Sequence, residues 1–526
     1  MDYLVRFAQA HERFRRPELE ALADLARLPC EIVSYAENTP FCIVWFPTLQ
    51  NPGNANDTDD MSGLDRRETV EQAVRDFESR AILSKCIYEI WGQGADYEEL
   101  DRDVTQRSRH LWDLYKHHSF KFSIDCYGSS QDAEQQRRTI DRFKYLGLLG
   151  KIRMKDPQVE FAVLEEWLPM TAAGRAADMT AAHASKDGTV PVDRVAGTSL
   201  RRVFLARKIG DSQRWLREKH DLKKRPYIST TSMDAELALV TANMALASPG
   251  KMFLDPFVGT GGFMVAAAEL GAVVMGSDID GRSYRGKGAG LEKGVGANFK
   301  KYGLEHLFVD CMCSDLTNTP FRRSARGQKP SSQNVRWLDG IVCDPPYGVR
   351  EGLKVLGTRT RRAVLLASNA DGDDLAAAAA DTPREILVDG IPAHKLPGYI
   401  APKKPYSFSR MLDDILDFAA ATLVDGGRLA FWMPSANEND LGEEEVTVIP
   451  THPHLLLKHE CVQRFNKWSR RLLVYERLPG HLDSKVEIDE LDGGQAVGDR
   501  TAQTADELNP FRKRYFQPVV DNKNGS

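Results

Sequence analysis

An α/β chain is predicted, with its chemistry on an open sheet of the nucleotide-binding kind in the second half of the sequence. Two stretches carry the prediction. In MFLDPFVGTGG (Met252–Gly262) a short apolar strand ends in Asp255, passes through Gly259, Gly261 and Gly262, and enters the apolar helix Phe263–Leu270. Strand, glycine turn and helix make the first unit of such a sheet. In IVCDPPYGVR (Ile341–Arg350) a second apolar run ends in an acid, two prolines and a tyrosine.

The elements follow in order. Leu4–Phe7, a helical stretch around Pro17–Leu28 and the apolar run Phe41–Phe46 read as a small α/β unit over residues 1–60. Residues 65–225 read as a second region. It holds a helix around Val74–Leu83, a strand at Ile87–Trp91 and the period-two alternation of SFKFSIDC (Ser119–Cys126). Val159–Leu164 follows the break at Pro157. The third region is residues 226–480. After the glycine turn come the apolar strand Ala272–Met275, ending in Gly276, Ser277 and Asp278, and a short strand Leu307–Val309 before Asp315. Beyond the double proline lie a helix Arg410–Val424, closed by Gly426–Gly427, and a strand Leu429–Met433. The runs Leu455–His459 and Leu472–Tyr475 are close enough for an antiparallel hairpin. Three stretches read as insertions or tail: residues 171–190, an insertion near 355–400 with a five-alanine run, and residues 481–526. Their small and polar residues cannot bury enough apolar surface to offset the entropy of ordering.

The 526 residues leave room for two to four domains. No run of 18 apolar residues is present, so no transmembrane helix and no membrane partner are expected. The opening MDYLVRF lacks the basic-then-apolar pattern of a secretory signal. Eight cysteines do not make a disulfide framework at this length. Cys311 and Cys313 have no second pair nearby, so buried thiols in a reducing, cytoplasmic compartment are expected, and no metal site. The formal net charge of -5 hides local bias: seven Lys/Arg against one acid between Gln136 and Lys155, and ten against three between Gly197 and Arg225. An RNA ligand needs such stripes, because its phosphates dominate affinity. A solvated basic face is the other reading.

The double proline carries the sharper chemistry. Pro345 has a fixed φ, and Asp344 before it is pushed to extended geometry, so the corner is stiff before any ligand arrives. Asp344 and the Pro345 carbonyl can both accept from an NH2 group, and Tyr347 can stack on a planar ring. An exocyclic amine on a base is a poor nucleophile because its lone pair spreads into the ring. Two acceptors localise that pair and stabilise the charge that grows on nitrogen during attack. A Pro-Pro turn with only local hydrogen bonds to Asp344 is the alternative. Asp278, at the end of the next strand, is placed to accept ribose hydroxyls. The glycine spacing is not GxGxxG and no lysine follows, which disfavours a P-loop or a standard dinucleotide site.

DPFVGTGG, SDID and DPPYG, in that order, resemble S-adenosylmethionine-dependent amino-methyltransferases. Four further stretches narrow the resemblance: RPYISTTSMDAELA (Arg225–Ala238), GVRE (Gly348–Glu351), the opening YLVRFAQAHERFRRPEL and the closing LLLKHECVQRFNKWSRRLLVYE. Together they resemble the catalytic subunits of tRNA methyltransferases that make N2-methylguanosine at position 10. The resemblance implies a Rossmann-like class I methyltransferase sheet, preceded by a small ferredoxin-like α/β domain and a THUMP RNA-binding domain. It implies S-adenosyl-L-methionine as cofactor, tRNA as substrate, and a small zinc-binding activator subunit that covers apolar surface on the methyltransferase domain. By position, Asp255, Gly259 and Gly261 would line the methionine end of the cofactor, Asp278 would hold the ribose and Asp315 would face the adenine amine. Phe257 and Ile279 join the cofactor contacts, and Thr231–Asp234 would pack beside the methionine. Ser232 and Asp234 equally mark a helix N-terminus, and capping is expected of Asp234. Asp344, Pro345, Pro346 and Tyr347 would hold a guanine everted from its stack, whose amine attacks the sulfonium methyl directly, with no cysteine nucleophile. DPPY is shared with DNA adenine methyltransferases. A DNA amino-methyltransferase, a THUMP methyltransferase of another RNA site and a non-catalytic RNA-binding subunit are therefore the competing readings.

Overall fold

The computed structural model of the chain describes residues 2–47, 63–169, 198–286, 293–321, 336–349, 352–357, 402–435, 449–465 and 468–480, with parts of 387–399. The expected insertion at 171–190, most of that near 355–400, and the tail from 481 lie outside the described residues. The chain divides into two compact units, Met1–His220 and Asp221–Ser526.

The first unit runs β1 (Tyr3–Phe7), α1 (Glu12–Ala26), β2 (Glu31–Ser34), β3 (Phe41–Trp45), α2 (Gly63–Glu78), β4 (Ser84–Gly94), α3 (Tyr97–Ser108), β5 (Phe120–Tyr127), α4 (Ala133–Arg142), β6 (Val159–Pro169) and β7 (Thr198–Asp211). All seven strands share one sheet, in the order β2-β3-β1-β4-β7-β6-β5. Strands from the expected 1–60 and 65–225 regions thus hydrogen-bond side by side, with Leu4 of β1 opposite Tyr88 of β4. Leu19 and Leu22 of α1 and Val74 and Phe77 of α2 pack on Val5, Phe7 and Val44 of the sheet. The helix expected over Val74–Leu83 lies earlier. The chain leaves it after Glu78, and the amides of Ile82 and Leu83 donate instead to the buried Glu18 carboxylate, at 3.0 and 2.8 Å. The sequence stretch holding β7 reads as a basic stripe, yet Val203–Ala206 at its centre are fully buried.

The second unit runs α5 (Ala235–Met244), β8 (Met252–Asp255), α6 (Gly262–Glu269), β9 (Val273–Asp278), α7 (Val295–Tyr302), β10 (Phe308–Cys313), β11 (Leu338–Cys343), α8 (Phe408–Thr422), β12 (Leu423–Ser435), β13 (Leu455–Arg464) and β14 (Ser469–Arg477). Its sheet has the order β10-β9-β8-β11-β12-β14-β13. The first five strands are parallel in the doubly wound pattern. β14 runs antiparallel to both neighbours, so the expected C-terminal hairpin forms with its second strand inserted beside β12. Alternation along β12 builds the layers. Leu429, Phe431 and Met433 meet Met411, Ile415 and Leu416 of α8, while Trp432 on the other face donates to Thr241 of α5 at 3.2 Å. Gly340 lets β11 lie beside β8, since a Cβ there would sit 2.2 Å from the Phe253 ring. Strand order reverses between β8 and β11, and ligands of such sheets bind at the carboxyl ends of the strands flanking that point. Among the described residues, no helix is long and apolar enough to cross a membrane.

Candidate active site

Three neighbouring strands, β9, β8 and β11, end in Asp278, Asp255 and Asp344. Asp255 is 1% exposed and accepts from the Phe257 amide at 3.0 Å. The loop that follows turns through Gly259 and Gly261, at φ 48° and 75°, in the left-handed region where glycine is at home. A Cβ at Gly261 would strike Val295 of α7 at 2.7 Å. At Gly259 it would meet only the Phe257 carbonyl oxygen, at 3.8 Å, so the loop is open on that side. Asp278 binds the loop to β9: its Oδ2 accepts from the Gly259 amide at 3.1 Å and its Oδ1 from the Asp280 amide at 2.8 Å.

Asp344 differs. Its Oδ1 is shut off from solvent and accepts no hydrogen bond among the described residues. Burial pushes its carboxyl up to about 6, against the opposing pull of the Tyr347 hydroxyl and the Arg470 charge. Burial also drives Asp255 well above the ordinary carboxylate range, and the charges of Asp278 and Asp344 add to it. Asp278 is raised too, again chiefly by burial. Like charges gathered in low dielectric favour a ligand that brings positive charge and N–H or O–H donors. The residues fit such a group: an open glycine loop, an acid at the second strand, and an orphaned carboxylate oxygen at the fourth.

The remaining expected residues fall out unevenly. Asp315 is buried, and its oxygens already accept from Thr317 (amide 2.8 Å, hydroxyl 3.0 Å) and from the Leu356 amide at 2.5 Å. Thr231 sits in an exposed hydroxyl turn, 3.0 Å from Ser229 Oγ. Ser232 reaches the glycine loop, with its hydroxyl 2.8 Å from that of Thr260. Asp234 caps α5, as expected, accepting from the amides of Glu236 and Leu237 at 2.9 and 3.3 Å. Phe257 packs on the core that α8 covers, and the Ile279 carbonyl accepts from Lys403 Nζ at 3.0 Å. Pro345 is buried and Pro346 half-buried, which leaves the corner stiff. The Tyr347 ring meets Trp468 edge-on at 6.0 Å.

Two groups escaped the sequence reading. Asn298 of α7, fully buried, clamps Tyr227 through both its backbone groups at 2.9 Å and also donates to the Thr260 carbonyl at 3.1 Å. The Tyr227 hydroxyl donates to the Ser283 carbonyl at 2.5 Å and is raised by burial and then by the charge of Asp278. The second group is the end of the β13–β14 hairpin. Phe465 stacks on Trp468 at 4.6 Å, and the Arg470 guanidinium lies over Trp432 at 4.7 Å and Phe465 at 5.5 Å. Aromatics interleaved with cations in RFNKWSRR were the available signal, but the run reads first as a hairpin turn.

The basic stripes also divide. In the second, Arg202 pairs with Glu166 at 2.7 Å, Arg207 with Glu89 at 2.8 Å and with Glu71, and Lys208 with Asp211 at 2.6 Å. Much of that charge therefore serves the fold and is unavailable to phosphates. In the first stripe, Lys151, Arg153 and Lys155 stay exposed beside Ile152 and Met154, which are 71% and 72% exposed.

Comparison with known proteins gives the family. The family described as "Tmrp11 THUMP N-terminal domain" matches residues 1–57 and 67–183, and that described as "RMKL-like, methyltransferase domain" matches residues 223–360. The chain is 40% identical over 476 residues to the tRNA (guanine(10)-N(2))-methyltransferase of Saccharomyces cerevisiae, covering 90% of this chain and 92% of that one. It is 33% identical over 501 residues to the Schizosaccharomyces pombe protein of the same name, covering 92% and 91%. To "tRNA (guanine(10)-N(2))-methyltransferase TRMT11" of Mus musculus it is 29% identical over 491 residues, covering 90% and 88%. With strand ends, glycine loop and double-proline corner in one sheet, and relatives that span nearly the whole length, the chain belongs to the tRNA (guanine(10)-N(2))-methyltransferase family.

Proposed function

We propose that this protein transfers a methyl group from S-adenosyl-L-methionine to the N2 amine of guanine 10 in tRNA. The observation that carries the reading is the Asp344 Oδ1 atom, buried and without a hydrogen-bond donor among the described residues, at the strand that flanks the switch point of the sheet. Such an atom is costly to leave unmatched, and an incoming amine satisfies it.

The cofactor, when bound, supplies an electrophilic methyl on a positively charged sulfur. Asp255 and the open side of Gly259 would take its methionine end, with Gly261, Phe257 and Thr231 alongside. Asp278 and Ile279 would take the ribose. Asp315 would take the adenine amine with the accepting capacity its own turn leaves over. At the corner, Asp344 and the Pro345 carbonyl accept the two N–H groups of guanine N2, while Pro346 keeps the turn rigid and Tyr347 meets the ring. Acceptors fixed in place stabilise the positive charge on nitrogen as it forms, and alignment of amine and methyl removes much of the entropic barrier. Asp344 must be ionised to do this. It need not be a strong base, because the methylated amine cation is far more acidic than the neutral amine.

The THUMP-matching N-terminal region would bind the tRNA, with exposed Lys151, Arg153 and Lys155 offering cations for phosphates. A small zinc-binding activator subunit would cover apolar surface on the second unit. The open edge of the sheet, β10, where Val309 is 53% exposed, offers such surface. No disulfide joins any of the eight cysteines, and a cytoplasmic site of action is part of the reading.

The test is mass mapping of nucleosides in tRNA incubated with the protein, its activator and isotope-labelled cofactor. N2-methylguanosine at position 10 is expected. Label at another nucleotide, or on duplex DNA, rejects the reading.

A further inference from the structure

Arg470, the second residue of β14, lies directly opposite Gln463 of β13, and its Nε donates to Gln463 Oε1 at 2.6 Å. Its guanidinium carbon lies over the rings of Trp432 and Phe465, at 4.7 and 5.5 Å from the ring centres. A planar cation stacked on aromatic faces keeps its N–H edge in plane for polar partners, which a lysine ammonium cannot reproduce. The hairpin end that carries it reaches the double-proline corner: Trp468 meets the Tyr347 ring edge-on at 6.0 Å, and the charge of Arg470 opposes the rise that burial imposes on Tyr347 and Asp344. Asp344 is faced by Tyr347 of its own loop, by Arg470 from β14, by Asp255 from the end of β8 and by the Cys343 thiol before it. Among these Arg470 alone is cationic.

We propose that Arg470 is a positioning residue for methyl transfer: clamped between Trp432 and Phe465, it orients Tyr347 and holds Asp344 in its negatively charged, amine-accepting form. The proposal rests on the reading of Asp344 as the amine acceptor. It makes the C-terminal hairpin part of the working site rather than only an edge of the sheet.

The experiment measures kcat from pH 5 to 9, with protein, activator, tRNA and S-adenosylmethionine at saturation, for the wild type, Arg470→Met and Arg470→Lys. Methionine keeps apolar bulk against the rings and removes the charge. The acidic limb of Arg470→Met should move up by about one pH unit, so that kcat is about fivefold low near pH 6, about tenfold low near pH 5, and recovers toward pH 9. Arg470→Lys should keep the limb of the wild type but lose several-fold in kcat at every pH, because the planar fork is gone. Cofactor affinity by calorimetry should stay within about twofold for both, since each pair of states differs only at the corner. An unmoved limb in the Met variant, or equal loss at all pH, overturns the proposal. Should the Met variant fail to fold, the Lys variant decides: a displaced limb or an unchanged kcat overturns it. Asp344→Asn in the same assay separates the two levels. If that variant stays active, the site reading fails. If it is dead while Arg470→Met behaves as wild type, only the role of Arg470 fails.

Discussion

In the N-terminal unit, the buried Arg207 lies between Glu71 and Glu89, and Arg67 joins the same pair of acids. At the strand ends of the C-terminal sheet, Asp255, Asp278 and Asp344 stand on neighbouring strands, and the charges of Asp278 and Asp344 add to the rise that burial imposes on Asp255. Burial pushes Glu89 upward, but Arg207 and Arg67 outweigh it and hold the group below its ordinary value. Burial pushes Asp344 up to about 6, and the opposing charge of Arg470 does not cancel it. A buried charge costs several kcal/mol unless the fold supplies a partner. The first unit supplies partners and gains a fixed sheet. The second holds its acids with backbone amides and, at Asp344, with Tyr347 and Arg470 that do not offset burial, and these acids are where a cationic cofactor and an amine donor are expected to bind.

That contrast can be broken in four ways. Asp344→Ala removes the unmatched acceptor and should lower kcat by about 10²–10³-fold or more while leaving cofactor affinity nearly intact. A purified variant with near-normal rate would place the amine elsewhere. Arg207→Met removes the buried cation that Glu71 and Glu89 share and leaves them the more exposed Arg67, and should cost about 3–5 kcal/mol of stability in urea unfolding. A loss below about 1 kcal/mol would mean that this pairing, like most surface pairs, contributes little.

The third break runs the other way. Asp344 has a folded value near 6 against 3.8 for an ordinary aspartate. The folded chain therefore binds more protons between those limits, and stability falls as pH rises from about 4 through 6. At pH 7.5 the wild type then carries a penalty on the order of 1–3 kcal/mol, which Asp344→Asn should remove. Its melting temperature should rise at pH 7.5 and match the wild type at pH 4; a lower value at pH 7.5 counts against an unmatched charge. The smallest change is Asp278→Asn. It should weaken cofactor binding about tenfold, through loss of a charged acceptor to the ribose. Unchanged affinity by calorimetry would move the ribose to another residue.

Which parts of this were legible before the fold was known depends on sequence distance. The strand–glycine–helix unit, the acid-ended strands, the Asp234 cap and the C-terminal hairpin are all local patterns, and each stands where periodicity and turn residues placed it. The basic stretch at 197–225 misled, because composition reports charge without reporting partners. Glu71, Glu89 and Glu166 lie far upstream and take up the charges of Arg202 and Arg207. The expected helix end at Leu83 moved for the same kind of reason, since Glu18 captures the amides that would have continued it. Asp315 likewise spends part of its accepting capacity on Leu356 across a loop.

By itself, the sequence determined the stiff DPPY corner, the glycine turn and the spacing of acids at strand ends, because proline, glycine and alternation act over a few residues. Only the tertiary structure decided what surrounds them. The insertion of β14 beside β12 brings Phe465, Trp468 and Arg470 to a corner more than a hundred residues earlier, and the order β9-β8-β11 gathers three carboxylates at one edge. Those neighbours are set by strand order across the sheet, which no local run of residues encodes, and it is they that set the charge state of Asp344.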